Sequence, residues 1–449
     1  KEGLLKERMY AILAIDSEGN KKYLPIRQCD LELYQKAQEE LHSSNLPLPH
    51  YEVRAGHNTD QARGYNYLNW QDFFNARQLL CLGKLLERIM QISDNTMQEQ
   101  MLCLFSSTLE YNNTFCSFKG EGTGAVRPIF SNHILKPERT PLENSVWGYT
   151  KSSGCFSTLF KTRLLKAKEY LDKPFELKID QASHACEKVV ASKPLNTIMC
   201  DSWNELFKFN HAALIMNGDS SVLPIPDGAI DFVVTDPPYF DFIHYSELSD
   251  FFYAWLSPIL KGKYTYFNKC TSGRDNEVQQ TDAAEFSRLL GNVFAECYRV
   301  LKPAGKLAFS FHHSRASGWV AIASAIRNAG FCIDECFPLH AELMASTPKA
   351  NAKEPISLDA MIICSKRNRV FSKANAVISA TQYMREMKEH GKQLSKADVF
   401  VICASQSLGL LVTEDRTFDE KEQLIQDIYQ AVLLEDTSRN FIEQEEFTQ

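Results

Sequence analysis

The sequence predicts an α/β protein built on a layered sheet, with helical accessory regions around it. Three observations carry that expectation. Short apolar runs at 230–234, 306–311, 331–337 and 358–364 have the length and bounds of strands. Amphipathic helices at 286–301 and about 318–329 alternate with them. Two strands, 212–216 and 230–234, end in turn residues, Asn217-Gly218-Asp219 and Thr235-Asp236-Pro237-Pro238-Tyr239, and open α/β sheets bind ligands outside such strand ends.

The elements follow in order. Residues 1–60 are polar and mixed, and 64–74 are rich in aromatics. Leu79, Leu82, Leu85, Leu86, Ile89 and Met90 recur at helical spacing, and a second helix is expected at about 95–111. Residues 112–155 are dense in Gly, Pro, Ser and Asn and read as a long ordered loop. A basic helix is expected from Leu159 to about Leu171. Phe286, Leu289, Leu290, Val293, Phe294, Cys297, Val300 and Leu301 mark a helix that Lys302-Pro303-Ala304-Gly305 stops. Leu307, Phe309 and Phe311 then share one face of a buried strand. Residues 369–434 read as helical and accessory.

The chain has 449 residues, 44% hydrophobic and 23% charged, which excludes a disordered protein and fits two or three domains. No run of about 18 apolar residues marks a membrane span, so no membrane partner is expected. The charged start at Lys1 does not read as a signal peptide, and the lack of an initial Met suggests the later portion of a longer product. Thirteen Cys without a C-x-x-C pair read as reduced thiols of a cytoplasmic protein, with no metal site expected. The net charge of −7 argues against a generic nucleic-acid coat. That acidity lies in residues 414–446, with eleven acids and three bases, which read as an acidic tail.

Asp236-Pro237-Pro238-Tyr239, directly after a hydrophobic strand, carries the chemistry. An exocyclic amine conjugated to an aromatic ring is a poor nucleophile, because its lone pair is delocalised. A carboxylate accepting one N–H and a proline carbonyl accepting the other draw the nitrogen toward tetrahedral geometry. Two prolines fix the carbonyl by fixing φ, and Tyr239 offers a face to a planar base. Positioning and hydrogen-bond electrostatics are the catalytic terms involved. A Pro-Pro stop after a strand, with an incidental Asp, is the plainer reading.

These residues resemble the signature of S-adenosylmethionine-dependent amino-methyltransferases, which act on adenine N6 or cytosine N4 of DNA, or on guanine N2 of some RNAs. Arg299–Leu307 resembles the helix-to-strand turn of that fold, with Ala304 where a second Gly is usual. The string from Asp236 to Leu256 resembles a family of adenine-specific DNA methylases, some linked to anti-phage defence. So do Asn69-Trp70 to Phe74, Arg77 to Leu80, and Arg139 to Gly148. The resemblance spans about residues 60–370. It implies a Rossmann-like class I methyltransferase sheet, S-adenosylmethionine as cofactor and DNA as partner. It divides the chain into an accessory or DNA-recognition region (1–175), a catalytic core (176–368) and a helical carboxyl-terminal region (369–449).

By that resemblance Asp236, Pro237, Pro238 and Tyr239 form the target-amine site, with Asp236 also near the cofactor. Gly218 and Asp219 match the cofactor-adenine position; an ordinary strand-end cap is the other reading of Asp219. Phe240 and Phe242 either support the base or pack under the loop, and Tyr245 is expected at the substrate base. His312 and His313 read as polar edge residues. One departure stands out. The Gly-rich cofactor loop of these enzymes is not found, and neither is the zinc ribbon of some relatives. Gly120-Glu121-Gly122-Thr123-Gly124 is the nearest glycine cluster, without a clear strand before it. An additional chain or an amino-terminal segment is therefore expected to supply the loop.

Residues 115–173 hold ten Lys and Arg against five acids. Lys161, Arg163, Lys166 and Lys168 could follow a DNA backbone, or form a solvated helix face. The expected activity is transfer of methyl to adenine N6 in DNA, in a restriction-modification or antiviral-defence setting. The alternatives are an RNA guanine-N2 methyltransferase, or a DNA-binding subunit that keeps the fold without the cofactor.

Overall fold

Asp16 turns the first hairpin. Its Oδ1 accepts the N–H groups of Glu18 and Asn20 at 3.0 and 2.8 Å, and Gly19 takes the positive φ of 81° that the turn requires. Strand β1 (Ala11–Ile15) thereby pairs antiparallel with β2 (Lys21–Pro25). Helix α1 (Gln28–Ser43) follows. Asn75 and Gln78 close a capping box at the start of α2 (Ala76–Met90), and Asp94 caps α3 (Asn95–Leu109) by accepting the Met97 N–H at 2.7 Å. The computed structural model describes every residue except 1–3, 5–6, 121–123, 133–134, 138–141, 150–151, 181–185, 192–196, 241–243, 341–355 and 447–449; 132 and 436–446 are described as backbone only.

The chain divides into two units. One comprises Lys1–Asn196 and His244–Arg274, the other Thr197–Ile243 and Asp275–Gln449. They interleave along the sequence, so the three expected segments do not each correspond to one unit.

In the first unit the basic helix is composite. A helical turn at Phe156–Leu159 leads into a π-helical stretch at Phe160–Leu165 and then α4 (Lys166–Asp172). The expected continuous α-helix is thus broken at its centre. The hydroxyl of Thr162 donates to the Thr158 carbonyl at 2.9 Å and competes there with the regular ladder. A hairpin of β3 (Phe175–Ile179) and β4 (Cys186–Val190) follows. The core is aromatic. Trp70, Phe73, Phe105, Phe251 and Trp255 are all buried, with Phe73 stacked on Phe115 at 4.3 Å. Phe251 and Trp255 come from α5 (Tyr245–Leu260).

In the second unit β5 (Ile198–Cys200) and β6 (Ala212–Leu214) make a short parallel pair. The main sheet has four strands: β7 (Ile230–Thr235), β8 (Leu301–Phe311), β9 (Cys332–His340) and β10 (Leu358–Ser365), in the order β7-β8-β10-β9. β7 and β8 are parallel, and β10 runs antiparallel to both its neighbours. Two helices, α6 (Ala283–Val300) and α7 (Ala316–Asn328), connect these strands. The expected stop at Lys302–Gly305 is a bulge within β8, because its register against β7 jumps from Leu301 to Lys306. Arg299 clamps the approach to β7 by donating to the carbonyls of Leu223 and Ile225 at 3.0 and 2.8 Å.

Alternation along β8 sends Leu307, Phe309 and Phe311 into the core with Leu358, Ala360, Ile362 and Cys364 of β10. Burying each large side chain contributes about 1.5–3 kcal/mol. The other face carries Ala308, Ser310, Met361 and Ile363, all half-buried. At its edge Phe232 and Val234 of β7 are 69% and 76% exposed.

The carboxyl-terminal helices α8 (Lys373–Glu389), α9 (Lys396–Thr413) and α10 (Phe418–Glu446) correct two expectations. They are not accessory, since all three contribute side chains to the core beside the sheet. Nor is 414–446 a tail. Leu424, Ile425, Ile428 and Val432 form one buried stripe of α10, and Asp419, Glu420, Glu422, Asp427 and Glu435 lie off that stripe. Among the described residues α9 alone has the length and apolarity to cross a membrane, and 72% of it is buried within the protein.

Candidate active site

The chain leaves β7 at Thr235 and turns at once through Asp236-Pro237-Pro238-Tyr239. Pro237 is buried, Tyr239 is half-buried and Asp236 is exposed. Register pairs Thr235 with Phe309 of β8, which brings Ser310 alongside Asp236. The Ser310 hydroxyl donates to Oδ1 of Asp236. The Tyr239 hydroxyl lies 3.0 Å from the same oxygen, 3.2 Å from Ser310 Oγ and 3.4 Å from Oδ2 of Asp359. A phenol has one proton, so these three contacts share one donor.

Asp359, the second residue of β10, is buried, and its Oδ1 meets Nδ1 of buried His312 at 2.5 Å. The Tyr239 ring is held edge-on against His312 and Phe311, with centroids at 4.7 and 5.5 Å. Burial first, and then the carboxylates of Asp359 and Asp236, push the Tyr239 phenol well above the ordinary tyrosine range. It therefore stays protonated and serves as a fixed donor. Oδ2 of Asp236 and the Pro237 carbonyl accept no hydrogen bond from the described residues. The arrangement thus offers an oriented carboxylate oxygen beside a conformationally fixed carbonyl, two acceptors for an amine with two N–H groups.

Sequence reasoning singles out Asp236, Pro237, Pro238 and Tyr239, places Ser310 in a strand end facing the same edge without a role, reads His312 as a polar edge residue and passes over Asp359. Period-2 alternation gives a signal for two of them. Ser310 and His312 fall on the face opposite the buried Phe309 and Phe311.

Other expected site residues lie elsewhere. Phe240 is 4% exposed and packs against Phe286 and His313 at 5.2 and 5.6 Å. Its ring is buried in the core, as in the packing alternative that the sequence leaves open. Phe242 lies outside the described residues. Tyr245 opens α5 in the first unit, half exposed. Gly218 and Asp219 sit in an exposed turn beyond β6. Asp219 Oδ1 accepts the Ser221 hydroxyl and N–H at 2.7 and 2.8 Å, and Oδ2 accepts the Asn276 side chain. These bonds, the Ser221 hydroxyl first, hold its carboxyl below the usual range. The geometry is that of a turn cap, with both oxygens in use.

Phe118 and Val126 form an isolated antiparallel bridge on either side of the glycine cluster, whose residues 121–123 lie outside the described residues. Among the described residues from 115 to 128 no helix begins, and a helix amino terminus is what makes glycine turns good phosphate or nucleotide cradles. The described residues fit the amine side of a methyl transfer. They do not by themselves form a cradle for S-adenosylmethionine. They also contain no cluster of three or more His, Cys, Asp or Glu placed to hold a metal. Lys161, Arg163, Lys166 and Lys168 are all exposed, and Arg163 lies 3.9 Å from Glu110.

Residues 230–444 match the DNA methylase family of N6/N4 methyltransferases. That match supports an S-adenosylmethionine-dependent amino-methyltransferase and implies a class I methyltransferase fold for the segment. S-adenosylmethionine is the methyl donor of the family. No curated protein matches the chain. Among solved structures, a protein of Thermus thermophilus described as a DNA modification methylase is 17% identical over 36% of this chain and 57% of its own, with a TM-score of 0.20. The PvuII DNA methyltransferase, described as cytosine-N4-specific, is 13% identical over 48% of this chain and 91% of its own, with a TM-score of 0.21. The chain thus spans a little over half the length of the first of these, and neither superposition bears on the fold.

Proposed function

We propose, from the DNA methylase segment at 230–444, that the chain positions the target amine in a DNA methyltransferase acting on adenine N6. The observation that carries this is the anchoring of Asp236. Ser310 and Tyr239 hold its Oδ1, so Oδ2 is oriented and open. Oδ2 accepts one N–H of the amine and the Pro237 carbonyl accepts the other, which frees the lone pair from the ring. S-adenosylmethionine supplies an electrophilic methyl group when bound. Oδ2 of Asp236 is also the acceptor for the proton that the methylated nitrogen must lose. Adenine rather than cytosine rests on Asp preceding Pro-Pro-Tyr, by resemblance.

The donor is held, in this reading, by a further chain or segment that carries the Gly-rich loop and extends the sheet in a Rossmann-like manner. The exposed apolar residues Phe232 and Val234 at the β7 edge support it, because an uncovered edge strand of this composition is a liability. The target base must leave the duplex, at a cost of a few kcal/mol. Backbone contacts from Lys161, Arg163, Lys166 and Lys168 offset that cost. A restriction-modification or antiviral-defence role in the cytoplasm accords with the resemblance and with the free thiols. The incomplete cradle favours one second reading, a DNA-binding subunit that itself transfers nothing.

The test is transfer of labelled methyl from S-adenosylmethionine to unmethylated DNA, run beside an RNA substrate, with calorimetry of donor binding to this chain alone. Asp236→Ala is expected to abolish transfer while the protein stays folded. Full activity in that variant overturns the mechanism. Transfer to RNA alone overturns the DNA assignment.

A further inference from the structure

The first unit holds a cavity of about 330 Å³ bounded by the β1–β2 hairpin, the start of α2 and residues 142–146. Its walls combine flat aromatic faces with hydrogen-bond donors. Tyr10 and Tyr23 both line it and are largely exposed. Gln78 is only 2% exposed, and its Oε1 accepts the Asn75 N–H at 3.0 Å. That bond fixes which end of the amide is which, and Nε2 has no hydrogen-bond partner among the described residues. Next to it, Arg77 gives Nε and Nη2 to Glu143 at 3.0 and 2.9 Å. Its Nη1 is left without one. Both donors open into the cavity with no acceptor among the described residues, so the cavity suits an acceptor from outside.

Charge narrows the choice. Arg77 is already neutralised by Glu143, which also accepts the Asn75 side-chain amide at 2.7 Å. Glu7 stands close enough that burial, and then the Glu143 charge, push its carboxyl up. An anion gains little beside two carboxylates. A neutral ring with two adjacent acceptors gains both donors, and guanine presents O6 and N7 on one edge. The volume lies at the small end of ligand pockets and suits one base rather than a pair.

We propose that this cavity binds a single nucleobase by a guanine-type acceptor edge, with Gln78 Nε2 and Arg77 Nη1 as donors and Tyr10 and Tyr23 as flanking faces. That the base is displayed by DNA rests on the function proposed above; a free guanine nucleotide offers the same edge.

Calorimetric titration of the full chain tests it, using a short oligothymidine with one guanine, the same strand with 7-deazaguanine, the strand with thymine only, and guanosine monophosphate. The guanine strand is expected to bind about tenfold or more tighter than the other two strands, as loss of one acceptor of a two-point contact implies. Binding of the monophosphate as well assigns the edge to free nucleotide too, and binding of the strand alone assigns it to DNA. Gln78→Glu keeps the Oε1 that accepts the Asn75 N–H and removes the donors, so the preference should vanish; the buried charge lowers the melting temperature, and the titration is run well below it, where circular dichroism matches the unaltered protein. Equal binding of the three strands by the unaltered protein, or a preference retained in Gln78→Glu, overturns the proposal. Absence of methyl transfer with the preference intact counts against the proposed function alone.

Discussion

Ser310 on β8 donates its hydroxyl to Oδ1 of Asp236 in the turn after β7, and so fixes a carboxylate that is otherwise exposed. Ser310→Ala removes that restraint and leaves the half-buried Tyr239 hydroxyl as the remaining anchor. A misplaced catalytic group costs about a hundredfold in rate. The maximal methyl-transfer rate is expected to fall by about that factor, while stability changes by about 1 kcal/mol or less. Ser310→Thr retains the hydroxyl and should restore most of the rate. An unchanged initial rate in Ser310→Ala would remove Ser310 from the site.

The His312–Asp359 contact is buried on both sides, so its two partners depend on each other. His312→Ala strips a donor from a carboxylate that has lost its water. That should cost about 1–3 kcal/mol in urea unfolding. Replacing both residues by Leu removes the need for a partner and should cost less than the single change. A double variant less stable than His312→Ala would show that the contact is not the source of the dependence.

Much of this architecture can be read along the chain, and the exceptions have physical causes. The helix at 283–300 and the later part of β8, from 305 to 311, follow clean periods, because each has one face in the core and one outside. The role of α9 is harder to see. It is apolar around its whole circumference, so it has no stripe, yet that composition is itself the mark of a core helix. The acids of 414–446 mask the buried stripe Leu424, Ile425, Ile428 and Val432 when charge is counted alone. Asp236 is legible because it sits in a local motif. Asp359 is not, since its pairing with His312 depends on the antiparallel register of β10 against β8, which no spacing reveals. A lone Asp inside Leu358–Ser365 is nonetheless a clue that a buried partner waits for it.

Alkaline pH should weaken the fold through its thiols. Burial pushes Cys116 and Cys403 up to about 12 and Cys297 up to about 11. In the unfolded chain these groups ionise near 8.5. The folded values are the higher ones, so the stabilisation is complete below about 8.5 and is lost as pH rises toward the folded values. Each thiol weakens the fold by about 1.4 kcal/mol per pH unit across that interval. The urea midpoint is expected to be level from about pH 7 to 8 and to fall steadily by pH 10.5. A flat midpoint over the whole range would contradict the burial of these thiols. A thiol reagent at neutral pH should meanwhile label exposed Cys29, Cys103, Cys186 and Cys270, and reach Cys116, Cys297 and Cys403 only on unfolding.

Lys161 lies in the π-helical stretch, and Lys166 and Lys168 lie in α4, all three exposed. Arg163 differs from them, because its guanidinium lies 3.9 Å from Glu110 at the end of α3, and changing it disturbs that contact as well. The three lysines are therefore the cleaner probe of a phosphate-tracking surface. Each phosphate contact releases counterions and adds about 0.9 to the slope of log affinity against log salt. Converting all three to Ala should lower that slope by up to about 2.7 on a short duplex. Backbone contacts carry no sequence information, so the loss of affinity should be uniform across duplexes of different sequence. An unchanged slope would mean that the basic helix is a solvated face and that DNA lies elsewhere on the protein.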